Sequence, residues 1–414
     1  MLAQSEPIRA ATTLPGEDRM PSFTLTDLSR DVWVDSFDLP AAVAAPPCSL
    51  TKRTLRGGRR DGVDLIRLDN GALSVAIVPT RGMGIWKGAY RGDPLGWKSP
   101  VVDGPVHPSH VRPTDHGGLG WLEGFDELMV RCGLDHNGGP YETAVPGPDG
   151  SVARHVLHGL HGRVANIPAH FVAVHVDDKS PHAITVEGRV AESTLFLAQL
   201  ELTTRITTVP GSNRLIVRDE VANLSDRPGE FQLLYHWNFG PPYLAAGSTF
   251  AAPIETLAPR DPRAAEGIDR WTTYGPPEPG FAEQAYLAHL RANAVDGRTL
   301  AMLRAPDEPR AVVLRFHRPQ LPCFTLWKNT GGLRDGYVTG LEPATNFPHP
   351  KPFEKQRGRV VTLPPGGKYL AETTLEVLDT NEAIAAALAE IGALQAQGPP
   401  TIHRRPVEPF APPA

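Results

Sequence analysis

The chain has 414 residues, of which 41% are hydrophobic and 21% charged, and it carries a net charge of −5. That balance permits a sizeable core. Because the two signs are interspersed, it excludes a broad basic surface for nucleic acid. No run of about 18 apolar residues is present, so nothing is expected to span a membrane. Gly 40 and Pro 43 favour turns and loops over long helices. The cysteines, Cys48, Cys132 and Cys323, are odd in number and far apart. A reducing cytoplasm is expected, not a disulfide framework. The opening, MLAQSEPIRAATTLPGEDRMP, lacks an apolar core and does not read as a signal peptide.

Residues 1–22 are small, polar and Pro-containing, and read as a flexible arm. TLTDLSRDVWV is either a short helix or a first strand. From Arg53 the pattern is β. Asp69-Asn70-Gly71 between alternating runs is a hairpin signal, and Arg81 follows the second strand as either a turn residue or a bidentate donor. Residues 93–150 read as long loops, a common place for function on a β scaffold. They carry His116, Asp135, His136, Trp97 and Trp121. Aromatic faces suit the C–H faces of a sugar and His or Asp its hydroxyls, while each Trp serves equally as core packing.

HVLHGLHGRVANIPAH follows, with His158 and His161 three positions apart and Arg163 and Asn166 beyond. His pairs at short spacing can chelate, but no further ligands stand in a recognised pattern, so no metal is assigned. Residues 171–235 alternate in the manner of antiparallel hairpins. They lead into LLYHWNFGPPYL, where His236 lies in an apolar-aromatic strand. Taken alone, His236 reads as a core histidine bonded to a carbonyl.

Residues 247–285 form another long segment. Strands resume at Tyr286, and Trp327 and Lys328 end the strand before the next key run, so both are expected to reach one cavity. In GLEPATNFPHPKPFEKQRGRVVTLPPGGKYLAETTLEV, a lone Glu342 closes an apolar run. Partial burial would raise its pKa and suit it to act as a general base. The alternative is an edge carboxylate paired with Lys351, Lys355 or Arg357. PPGG is a tight turn between strands. TNEAIAAALAEIGALQAQG, capped by Thr380 or Asn381, is the clearest helix, and a Pro-rich tail follows it. The expected organisation is an arm over 1–22, one β unit over 23–379, and a helix with tail over 380–414.

The order of Leu-Glu342, Pro, Asn and Pro, a strand, PPGGKY and a Thr-Thr strand resembles the C-terminal signature of the galactose mutarotase (aldose 1-epimerase) superfamily. The Asn-Gly hairpin, the HGRVANIPA run and the His236-Trp-Asn-Phe-Gly strand extend the likeness over roughly residues 55–378. The detail is similar to a little-characterised bacterial aldose 1-epimerase-like branch. The resemblance implies an all-β fold, an antiparallel β-supersandwich with a short C-terminal helix. It also implies an isomerase of carbohydrate metabolism that interconverts anomers by ring opening. Glu342 would be the base and His236 the acid, on opposite sides of a small pocket. His161 first, His158 second, with Arg81, Arg163 and Asn166, would contact the sugar. Trp327 would stack on it, and His116, Asp135, His136 and Lys328 complete the expected binding set. No cofactor or metal is required. The partner is a small carbohydrate, with neither nucleic acid nor membrane, and a homodimer is admitted. An epimerase or lyase acting on a keto-sugar or uronate with the same pair, a metal-dependent sugar enzyme using His158 and His161, and a non-catalytic sugar binder stay open.

Overall fold

Strands of alternating character bury one face each, and here two large antiparallel sheets bury those faces against each other. A computed structural model describes residues 21–44, 46–149 and 151–412. The arm expected over 1–22 lies almost wholly outside the described residues. Among the described residues the strands form a 14-stranded sheet, a 10-stranded sheet and a two-stranded hairpin. The fold is the antiparallel β-supersandwich that the sequence implies.

The 10-stranded sheet contains the expected meander of Phe171–Val176, Ile184–Ser193, Gln199–Thr208 and Arg214–Asn223. Lys368–Leu378 lies against the last of these. The 14-stranded sheet runs through Gln284–Leu290, Cys323–Thr330, Tyr337–Ala344, Gly229–Phe239, Met129–Leu134 and Gly84–Tyr90. Leu25, Ile77, Val174, Leu202, Val217, Tyr235, Trp237 and Leu341 belong to the core between the sheets. One charged tie crosses it. Arg131 donates to both carboxylate oxygens of Asp219 on the opposing sheet, and Tyr235 Oη donates to the same group.

Local chemistry explains the turns. Asn70 Oδ1 accepts from the backbone of Ala72 and Leu73, and Gly71 has φ +90°, where a Cβ would strike Pro47 at 2.1 Å. The predicted hairpin therefore forms between Asp64–Asp69 and Leu73–Val78. TLTDLSRDVWV resolves into the strand Ser22–Asp27, a short turn capped by Asp27, and Val32–Trp33. Gly367 N donates to Pro364 O across the PPGG turn. The terminal helix spans Asn381–Gln395, with Thr380 accepting from Ala383 N at its N-terminus. Its Ile384, Ala387 and Ile391 pack on Leu300, Met302 and Val313. The tail is docked: Thr401–Ile402 pairs in parallel with Thr256 and Leu257, and Phe410 packs on Phe347.

One expectation is corrected. Residues 93–150, read as loops, include Met129–Leu134, a fully buried central strand. A strand buried on both faces shows no polar alternation, and Arg131 in its middle conceals it. Among the described residues, no helix is long and apolar enough to cross a membrane.

Candidate active site

Alternation along Gly229–Phe239 separates two faces. Phe231, Leu233, Tyr235, Trp237 and Phe239 enter the inter-sheet core, so His236 and Asn238 face the other way. On the neighbouring strand, Leu341 joins the core, and Val338 and Ala344 pack with Leu234 on the outer face. The register sets Leu234 against Ala344 and Asn238 against Gly340. His236 and Glu342 therefore stand directly opposite. Their Nε2 and Oε1 lie 3.1 Å apart, and the two residues are only 4% and 2% exposed.

Asn238 orients the imidazole. Its Nδ2 donates to Glu127 O and His236 O, each at 3.0 Å, so its Oδ1 is the acceptor that meets His236 Nδ1 at 2.6 Å. Nδ1 thus carries the hydrogen, and Nε2 presents a lone pair to Glu342. Burial pushes the Glu342 carboxyl well above its ordinary range, with Glu283 adding to the rise and Arg260 opposing it. Burial also pushes His236 down to about 4. Both partners favour their neutral forms, so the pair holds one proton, on or near Glu342.

Aromatic rings enclose the imidazole. Phe125, Trp327 and His161 stand edge-on to it at 5.2, 5.3 and 5.6 Å, and Trp121 backs His161 at 4.7 Å. His161 Nδ1 is buried with no hydrogen-bond partner among the described residues. Burial, then His236, Arg260 and His136, hold His161 well below the usual imidazole value, so it stays neutral at physiological pH. Trp327 Nε1 donates to Glu283 (2.6 Å), whose other oxygen accepts from Arg260 (2.8 Å).

Of the predicted set, the structure brings together Glu342, His236, His161 and Trp327. The others divide. Arg81 is a buried tie: it donates to Glu127, Val106 O, Asn166 Oδ1 and Gly124 O. Its donors are thus taken up by the loop and by Asn166, whose Oδ1 it holds, while Asn166 Nδ2 is buried with no hydrogen-bond partner among the described residues. Glu127 O in turn receives Asn238 and Trp97 Nε1, so Arg81 supports the pair from behind. Lys328 cannot share a cavity with Trp327, because successive strand residues face opposite sides. Its ammonium donates to the carbonyls of Arg270, Trp271 and Thr273, and burial lowers its pKa to about 8. Arg163 is exposed. His116 is also exposed and meets Glu123 at 3.2 Å.

Three further expectations change. The pair is in direct contact instead of lying on opposite sides of a pocket. Lys351, Lys355 and Arg357 bind Asp135, Glu230 and Glu408, so none serves as an edge partner for Glu342. His158 and His161 do not form a metal pair. His158 gathers instead with Asp135 and His136, which follow the strand five and six positions beyond Val130, the residue paired with His236. Reading the sequence also missed Asn238 as the orienting group, and the Arg260–Glu283 link. The first was detectable: residues two apart on a strand share a face. The second joins distant segments and leaves no local signal.

The fold is the one found in galactose mutarotase-like proteins. The chain belongs to the family described as Domain of unknown function (DUF4432), whose model matches residues 60–377. A provisionally named aldose 1-epimerase from Klebsiella pneumoniae is 32% identical. The match covers 93% of this chain and 98% of that one, with a TM-score of 0.86. A galactose mutarotase-like protein from Clostridium acetobutylicum is 13% identical over 80% of this chain and 98% of its own, with a TM-score of 0.53. A protein from Synechocystis is 14% identical over 77% and 96%, with a TM-score of 0.52. The last two bear on the fold alone. No curated protein matches the chain.

Proposed function

We propose that the protein is an aldose 1-epimerase-like isomerase that interconverts the anomers of a small carbohydrate. The observation that carries this reading is the 3.1 Å approach of His236 Nε2 to Glu342 Oε1, with the tautomer of His236 set by Asn238. Anomer exchange needs a base for the anomeric hydroxyl proton and an acid for the ring oxygen, with the two roles reversing on closure. A one-proton pair supplies both. In the resting form Glu342 holds the proton and His236 Nε2 is the base. In the other tautomer Glu342 is the base and His236 the acid. The cycle returns the pair to its starting protonation, so neither cofactor nor metal enters it. His161 would hold a hydroxyl and Trp327 stack on the ring. The name borne by the Klebsiella relative supports the same reaction. Cys48, Cys132 and Cys323 are free and buried, which supports a reducing compartment such as the cytoplasm.

The test is anomer exchange by saturation-transfer NMR or polarimetry across aldoses, uronates, sugar 6-phosphates and keto-sugars. Wild type would be run beside Glu342→Gln and His236→Asn. The expected result is one substrate class that exchanges faster than buffer with wild type alone, all three proteins being folded. A sugar that binds equally to all three without exchange would overturn the pair as catalytic and leave a binding protein.

A further inference from the structure

A second cluster lies at the end of the buried strand Met129–Leu134. Its members come from two places in the chain. Asp135 and His136 follow that strand, and His158 ends the two-stranded hairpin Tyr141–Pro146 with Val152–His158. One ligand atom from each of the three residues lies within 4.8 Å of the others.

The hydrogen bonding at His136 directs one ring nitrogen toward Asp135. His136 is 4% exposed. Its Nε2 meets Gly159 O at 3.0 Å, and a carbonyl can only accept, so Nε2 carries the hydrogen. In the neutral ring Nδ1 then bears a lone pair. Among the described residues that atom is buried without a hydrogen-bond partner, and Asp135 Oδ2 lies 3.5 Å from it. Two acceptors facing each other across that gap call for a positive centre between them. A histidine that donates one ring N–H to a backbone carbonyl and offers the other nitrogen is also the arrangement in which histidine usually binds metal.

The other two donors are held in similar fashion. His158 Nε2 meets Thr143 Oγ1 at 2.8 Å. Its ring lies flat on Tyr141 at 4.4 Å and edge-on to His136 at 5.3 Å. Lys351 engages Asp135 through Oδ1 at 3.0 Å, leaving Oδ2 on the His136 side. Asp135 also lines an open depression of about 370 Å³ together with Glu230, Lys351 and Lys355, so its carboxylate is reachable from solvent. In a tetrahedral site with bonds of about 2.1 Å, ligand atoms stand about 3.4 Å apart. Side-chain rotation of about 1 Å would therefore close the cluster.

We propose that Asp135, His136 and His158 bind a divalent transition-metal ion of the zinc type, through two imidazole nitrogens and one carboxylate oxygen. The donor set suits a borderline cation, not calcium or magnesium, which prefer all-oxygen sites. Its role is architectural. The ion pins the hairpin to the end of the central strand, and the same backbone carries His161, whose N donates to Gly138 O and whose O accepts from Gly133 N. The proposal is independent of the reaction assigned to His236 and Glu342.

The experiment uses tag-free, full-length protein stripped with a chelator and then titrated with ZnCl₂ by calorimetry and with CoCl₂ by visible absorption. Thermal melting is recorded alongside. The expected result is one saturable equivalent, a higher melting temperature with metal, and cobalt d–d bands of nitrogen–oxygen ligation. His158→Ala and Asp135→Ala should each lose affinity by at least about tenfold. His155→Ala, on the exposed face of the same hairpin, should bind as wild type does. Absence of a saturable equivalent in wild type would overturn the proposal, as would undiminished binding by His158→Ala. So would imidazole ¹⁵N shifts showing His136 protonated on both nitrogens in zinc-treated protein.

Discussion

His236 Nε2 and Glu342 Oε1 meet at 3.1 Å, in a space that exists because residue 340 has no side chain. A Cβ at Gly340 would stand 2.6 Å from Glu342 Oε1 and 2.9 Å from His236 Cε1, distances that require something to move. The atoms it would meet are the far ends of side chains, so the strand itself can persist. Gly340→Ala is therefore expected to fold and to lose anomer exchange on the order of 10²-fold or more, as misplacement of reacting groups by about 1 Å does. Initial rates and a thermal melt on the same sample check both parts.

Asn238 acts through His236, as a positioning residue. Replacing it with Leu removes the acceptor for Nδ1–H and lets the hydrogen move to Nε2, which then faces Glu342 with no lone pair. The expected outcome is a fall in kcat of about 10²-fold or more with KM little changed, since a wrong tautomer disables a base without altering binding. Imidazole ¹⁵N shifts of His236 should report the tautomer change, which a purely structural role for Asn238 would not produce.

Glu342→Gln should stabilise the protein in a pH-dependent way. The folded carboxyl titrates well above its ordinary range because it is buried. Below the unfolded value of about 4.5 both states are protonated and the group has no effect on stability. As pH rises, the unfolded chain releases the proton and the folded protein retains it, so wild type loses stability progressively up to the folded pKa. Gln keeps a donor toward His236 and has no proton to lose. Urea denaturation at pH 8 should favour the variant by about 1–3 kcal/mol, the usual scale for one under-compensated buried polar group. The difference should vanish near pH 4. Equal stabilities at pH 8 would contradict the burial argument.

Asp219→Ala tests the tie between the sheets. Arg131 and Asp219 are both fully buried, and the carboxylate also receives Tyr235 Oη at 2.9 Å. Its removal leaves a buried guanidinium unpaired and should cost about 3–5 kcal/mol. The replacement Arg131→Met with Asp219→Leu, which removes both charges, should recover much of that loss. Denaturant midpoints of the two variants give the comparison.

Local pattern alone made several features legible. Period-two alternation marks the meander over 171–235. Asn70-Gly71 marks a hairpin, because the amide side chain and a left-handed glycine close it without outside help. Thr380 and the Ala/Leu run mark the terminal helix. His236 and Glu342 are visible as polar residues in apolar strands, but taken alone they read equally as a core histidine and an edge carboxylate. Each of these signals is carried by neighbours in sequence, so the amino-acid order by itself determined the antiparallel strands and the terminal helix, and the family resemblance added the β-supersandwich. The resemblance, not local pattern, singled out His236 and Glu342 as acid and base.

Tertiary structure decided which polar residues are already satisfied. Arg81 looked like a ligand donor, yet its hydrogen bonds go to Val106, Gly124, Glu127 and Asn166. Lys328 looked like a neighbour of Trp327 in one cavity, yet strand alternation turns it to the opposite side. Asp135, His136 and His158 looked like parts of a sugar site and form a cluster of their own, and Met129–Leu134 proved to be a central strand. The physical reason is common to all four. Faces follow from local periodicity, but hydrogen-bond partners, strand register and burial on both sides depend on segments tens to hundreds of residues apart, which meet only when the two sheets close.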